Sequence, residues 1–131
     1  MCFFWKNKTN SAFNVSDWAE RLVGLKSNLE VKLKTLEINA DEQSEMGSIR
    51  KEALDAARKC TQLLEKCMAS ISEMLPPRDG RRRSEFSEKI NEAISAICDA
   101  QASITTPYDY KARLLPAVDN LYNVIAECVK I

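Results

Sequence analysis

Four stretches of this chain carry apolar residues at alternating spacings of three and four positions, and no other feature restricts the fold as strongly. That spacing puts the apolar side chains on one face of an α-helix, because the helix repeats every 3.6 residues. Three glycines and four prolines in 131 residues leave few turns. The pattern therefore favours a handful of long helices over many short strands.

The ends of these helices are predicted from capping residues and prolines. Asn14 or Ser16 is expected to cap the first helix, Ser84 the third and Thr106 the fourth. Pro116 lies inside the fourth stripe, where it should kink or restart the helix. The predicted helices cover residues 16–40, 44–75, 84–104 and 107–130.

The predicted fold class is all-α, with the four helices packed as an up-down-up-down four-helix bundle around one core. We expect a single helical-bundle domain over residues 1–131, in which residues 1–13 form an N-terminal aromatic and basic extension. The alternative is a pair of helical hairpins that completes its core only by dimerising.

Nineteen basic and nineteen acidic residues give a net charge of zero, so no overall field draws the chain to nucleic acid or to an anionic membrane. The five cysteines are odd in number, and four lie among apolar helical positions, which suits a reducing compartment. No apolar run approaches the length needed to span a bilayer. We expect a cytoplasmic protein.

The sequence lacks the residue combinations that most enzymes use for catalysis. There is no histidine, so Ser-His and Cys-His pairs are excluded. Cys60 and Cys67 are seven positions apart, about 10 Å along a helix, which is too far for both to bind one zinc ion. Glu85, Glu88 and Glu92 should face water. We therefore predict a chain that is not an enzyme and has no catalytic residues, no metal site and no cofactor.

The densest charge cluster lies between the second and third predicted helices. Arg78, Arg81, Arg82 and Arg83 surround Asp79 and Gly80, and their guanidinium groups could bind phosphates or a carboxylate-rich protein. A solvated loop that binds nothing explains the same residues. This loop is the preferred interpretation, with a protein partner second and nucleic acid third.

A second unusual segment lies at the N-terminus, where Phe3, Phe4 and Trp5 precede Lys6 and Lys8. Aromatic rings beside lysines suit a partner groove or a membrane interface. Folding back over an open end of the bundle is the preferred alternative, because exposed aromatic rings promote aggregation.

The leading functional hypothesis is a non-catalytic protein-binding module, such as a small inhibitor, adaptor or immunity-type protein. Its predicted contacts are the aromatic N-terminus and the arginines, since both side-chain types are enriched at interfaces. Tyr108, Tyr110 and Tyr122 are further candidates. The alternatives are a nucleic-acid-binding accessory protein that uses residues 78–83 and a structural protein that assembles with its own copies.

Overall fold

The computed structural model describes residues 13–39 and 45–130, and the side chains of residues 13–35 and 51–128. The predicted contacts Phe3, Phe4 and Trp5 lie outside these residues. The described part of the chain is helical and contains no strand. A π-helical turn, Tyr110–Leu114, precedes the last helix. The helices are α1 (Val15–Asn39), α2 (Glu45–Glu73), α3 (Gly80–Ala102) and α4 (Leu115–Lys130).

The four helices alternate in direction, which confirms the predicted bundle. Trp18 hydrogen-bonds Asn91 and the backbone of Leu25 hydrogen-bonds Gln101, so α1 and α3 run parallel. α2 packs against α1 and α4, and α3 packs against α4 and α1. Within the described residues, α2 and α3 make no close backbone contact, which places them at opposite corners. The linker 74–79 therefore crosses the end of the bundle.

The four apolar stripes meet in one hydrophobic cluster, as the spacing predicts. α1 and α2 form the most extensive helix pair, and the small side chains of Ala53, Ala56 and Ala57 allow this close approach. No helix in the described part of the chain has the length and apolar character needed to cross a membrane. The largest fully buried side chains are Trp18, Leu22, Leu29, Leu64, Ile71, Ile90, Ile94, Ile97, Leu114, Val118, Leu121 and Ile125.

The start of α3 differs from the prediction. The helix begins at Gly80 rather than near residue 84, and its N-cap is Asp79 rather than Ser84. The Asp79 carboxylate accepts a hydrogen bond of 3.0 Å from the backbone N–H of Arg81. Arginine is a good helix former and reaches water from a helix as easily as from a loop, so a run of arginines does not exclude a helix. Residues 81–83 thus belong to the first turn of α3, and only residues 74–79 form the linker.

The start of α1 agrees closely with the sequence. Asn14 is the cap of α1, since its Oδ1 accepts from the backbone N–H of Asp17 at 3.0 Å.

The fourth helix starts later than the predicted residue 107, because a π-helical turn comes first and α4 begins at Leu115. Asp109 Oδ2 accepts from the backbone N–H of Thr106 at 3.1 Å, as the acidic residue of a capping box does, but the side chain of the predicted cap Thr106 makes no bond among the described residues. The π-helical turn lies directly before Pro116, where the ring prevents a regular α-helical turn.

Candidate protein-docking cleft

A surface depression lies at the end of the bundle where the linker crosses. It has a volume of about 660 Å³ and is formed by the C-terminal end of α2, the linker, the first turns of α3 and the last turns of α4. We call it the end cleft. Its lining residues are Ser70, Glu73, Met74, Leu75, Pro76, Pro77, Arg78, Asp79, Arg82, Phe86 and Cys128.

The apolar part of the end cleft follows from the way α2 stops. Pro76 and Pro77 lack the N–H groups that a continuing helix needs, so the last apolar residues of this stretch leave the helix. Leu75 is 83% exposed, more than any other large hydrophobic side chain described. Phe86 belongs to α3 and is only 7% exposed, so part of its ring forms a wall of the cleft while the rest packs inside.

The linker is held in place by one arginine. Arg83 Nη1 donates a hydrogen bond of 3.1 Å to the carbonyl oxygen of Pro77. Together with the Asp79 cap, this bond ties the linker to the first turn of α3 at two points. These two bonds fix residues 77–79 of the linker against the first turn of α3.

The other three arginines have no such use in the fold. Arg78, Arg81 and Arg82 are exposed, and within the described residues their side chains form no hydrogen bond or ion pair. Arg78 and Arg82 line the end cleft. The acidic side chain at this end of α3 is the Asp79 cap, and no further acidic residue follows it in the first turn. The three guanidinium groups remain available for an external anion.

The arginines and tyrosines that the sequence predicts as partner contacts lie in different parts of the bundle. Of the four predicted arginines, Arg78 and Arg82 line the end cleft, Arg81 is exposed beside it on the first turn of α3, and Arg83 bonds the linker. Tyr110 is buried in the core, Tyr122 is partly buried and Tyr108 is 60% exposed before α4. Tyr108 and the end cleft lie at opposite ends of the bundle.

Sequence reasoning missed the apolar half of the site. The apolar spacing of the second stretch predicts Met74 as its last buried position, and a single leucine beside two prolines, Leu75, carries no periodic signal. The fourth stripe predicts either Cys128 or Val129 as its last apolar position. Cys128 is partly buried against the core and also lines the cleft. The sequence signal that could have identified Leu75 as an exposed apolar residue is its position directly before two prolines that end the helix.

The thiols on α2 are placed for packing. Cys60 and Cys67 are fully buried, and burial raises the pKa of both thiols to about 12. Both therefore stay protonated at neutral pH and are poor nucleophiles. The described residues contain no group of three or more histidine, cysteine, aspartate or glutamate side chains that could hold a metal ion. Glu85, Glu88 and Glu92 are exposed along α3, as predicted.

Comparison of the chain with protein-family models, with curated proteins and with solved structures gave no match. A functional inference for this protein therefore depends on the geometry and charge of the end cleft.

Proposed function

We propose that this protein is a non-catalytic protein-binding module that docks a partner protein at the end cleft. The observation that carries the proposal is Leu75, whose side chain is 83% exposed on the lip of an apolar depression. Leaving a leucine in water has no benefit for the folded monomer, and burial of such a side chain contributes about 2 kcal/mol to an association. An apolar centre with arginines at its edge is also the usual composition of an interaction hot spot.

Nucleic-acid binding is the weaker candidate because the basic surface is short. The arginines occupy the linker and one turn of α3, and the next turns of that helix expose Glu85, Glu88 and Glu92. A duplex or an extended single strand presents a phosphate at each nucleotide and would meet these carboxylates. The apolar lining of the end cleft also suits a protein side chain better than a phosphate backbone.

The test compares two apolar-to-acidic substitutions in the full chain. Leu75→Asp places a charge on the lip of the end cleft. Val31→Asp is the matched control, because Val31 is 68% exposed and lies about 24 Å along α1 from Val15, towards the opposite end of the bundle. Both positions are exposed, so each change should alter the free energy of unfolding by less than about 0.5 kcal/mol.

Affinity purification from the native host, with quantitative mass spectrometry, gives the readout. We expect a partner protein in near-stoichiometric amount with the wild type and with Val31→Asp, and its loss with Leu75→Asp. Recovery of the same proteins by all three would refute docking at the end cleft. Recovery of only further copies of this chain would support the self-assembling alternative.

A variant that lacks residues 1–8 tests the predicted contacts Phe3, Phe4 and Trp5 separately.

A further inference from the structure

We propose that the end cleft recognises an acidic segment of its partner, with a bulky apolar side chain of that segment inserted beside Leu75 and its carboxylates on Arg78, Arg81 and Arg82. This inference rests on the proposed protein-binding function and names the chemistry of the partner. Two separate properties of the site support it: an apolar depression and a group of arginines without counter-ions.

The shape of the cleft favours a short segment with protruding side chains. The end cleft lies across the ends of α2, α3 and α4 rather than along a groove between two helices. A long helix would therefore contact it only at one end or one turn. The volume of about 660 Å³ leaves room for at least one large side chain.

The charge of the cleft rim favours acidic residues around that side chain. Residues 78–83 contain four arginines and one aspartate, a net charge of +3. The single carboxylate, Asp79, already accepts a hydrogen bond from the backbone N–H of Arg81, so it is held at the helix end. Among the lining residues, Glu73 and Asp79 balance Arg78 and Arg82. The positive excess comes from Arg81 and Arg83 in the adjoining first turn of α3, which give residues 73–83 a net charge of +2. Guanidinium groups bind carboxylates through paired hydrogen bonds, which adds directional preference to the attraction.

Charge also argues against the chain's own N-terminal segment as the occupant. Residues 1–12 contain Lys6 and Lys8 and no acidic residue, so the segment would bring like charges to the arginines. A partner with several carboxylates would instead bring opposite charges to the arginines.

The test uses defined synthetic probes and the full-length protein. The main probe is a short fluorescent peptide in which two leucines are flanked on both sides by glutamates. One control peptide replaces the leucines by serine, and a second replaces the glutamates by glutamine. A single-stranded oligonucleotide with the same net charge tests the phosphate alternative. Binding is measured by fluorescence anisotropy at about 0.05 M and about 0.5 M salt, since rim charges are screened at the higher value.

A charge-matched pair of variants locates the site. Arg78→Glu with Arg82→Glu reverses the two arginines that line the end cleft. Lys34→Glu with Lys111→Glu changes the net charge equally at exposed positions towards the other end of the bundle. We expect the acidic leucine peptide to bind the wild type and the lysine variant equally, and the arginine variant at least about tenfold more weakly. Both control peptides and the oligonucleotide should also bind at least about tenfold more weakly than the main probe.

Several results would overturn the inference. The first two are the absence of saturable binding of the main probe, and equal binding of the peptide in which serine replaces leucine. The other two are an equal loss of affinity in the arginine and lysine variants, and tighter binding of the oligonucleotide than of the main probe. Any of them, together with a host partner that depends on Leu75, would leave the protein-binding function in place and reject only the acidic chemistry. If no host partner depends on Leu75 for its recovery, the proposed function itself is rejected.

Discussion

The indole Nε1 of Trp18 donates a hydrogen bond of 2.9 Å to Oδ1 of Asn91, a residue 73 positions further along the chain. Trp18 is 1% exposed and Asn91 is 8% exposed, so neither group has ready access to water. α1 and α3 form the least extensive pair among the contacting α-helices described, and this bond links them together with the bond from Gln101 to the backbone of Leu25. The ring of Phe13 packs edge-on against Trp18, with 4.9 Å between the ring centroids.

Replacing Asn91 by alanine should lower the free energy of unfolding by about 2 kcal/mol, because it leaves the buried indole N–H without an acceptor. Trp18→Phe should also destabilise the protein, since it removes the donor and leaves the Asn91 amide buried. Urea denaturation of the two single variants and the double variant measures the coupling between them. The double variant should lose less stability than the sum of the single losses, and strict additivity would contradict the importance of the bond.

Asp79 and Arg82 both line the end cleft, yet they should differ in their effect on stability. Asp79→Ala removes the N-cap of α3 and should lower the free energy of unfolding by about 1 kcal/mol. Arg82→Ala should change it by less than about 0.5 kcal/mol, because the side chain is exposed and without a partner among the described residues. Thermal denaturation followed by circular dichroism compares them. A large loss in Arg82→Ala would mean that this arginine stabilises the fold and would weaken the case for a docking role.

Ser87 lies on α3 with no exposed surface, and its hydroxyl oxygen has no hydrogen-bond partner within the described residues. Ser87→Ala should therefore leave the free energy of unfolding unchanged or raise it by about 1 kcal/mol, since it removes a buried unsatisfied group and improves helix propensity. Chemical denaturation of the variant beside the wild type measures the change. A loss above about 1 kcal/mol would indicate that the hydroxyl is bonded in solution.

The buried thiols of Cys60 and Cys67 should make the protein less stable at alkaline pH. An unfolded thiol titrates near pH 9.0, whereas burial raises the folded pKa to about 12. Below pH 9.0 both states are protonated and the full stability is present. As the pH rises from 9.0 towards 12, the unfolded state loses its protons first, so each thiol lowers the free energy of unfolding by about 1.4 kcal/mol per pH unit.

The double variant Cys60→Ala with Cys67→Ala isolates this effect. Denaturant unfolding under reducing conditions at several pH values should give a steeper decline above pH 9 for the wild type than for the variant. If the free energy of unfolding declined equally in the wild type and the variant, the two thiols would have the same pKa in the folded and unfolded states, which would contradict their burial. Near pH 7 the variant should be less stable than the wild type by a constant amount, because smaller side chains leave space in the core.

Much of the fold could be predicted because helix formation depends on short-range pattern. The spacing of Trp18, Leu22 and Leu29 identifies the buried face of α1, and Asn14 identifies its start. The predicted start of α3 at Ser84 is wrong because the arginines after Asp79 are also typical of a loop. The hydrogen bond from the backbone of Arg81 to Asp79 places the start one turn earlier.

The candidate site also has one part that the sequence predicts and one part that it does not. Its arginines were visible as a cluster in the sequence, because they are neighbours along the chain. Its apolar half was not, since Leu75, Phe86 and Cys128 come from three separated segments.

The sequence by itself determined four amphipathic helices, their approximate ends and the absence of histidine chemistry, because these depend on residue identity and spacing over a few turns. The tertiary structure decided which helices are neighbours and sent the linker 74–79 across the bundle end. That crossing leaves Leu75 exposed and brings α4 beside the start of α3, so the end cleft exists only after packing. Contacts between residues far apart in the chain depend on how the helices fit together, and local spacing carries no information about that fit.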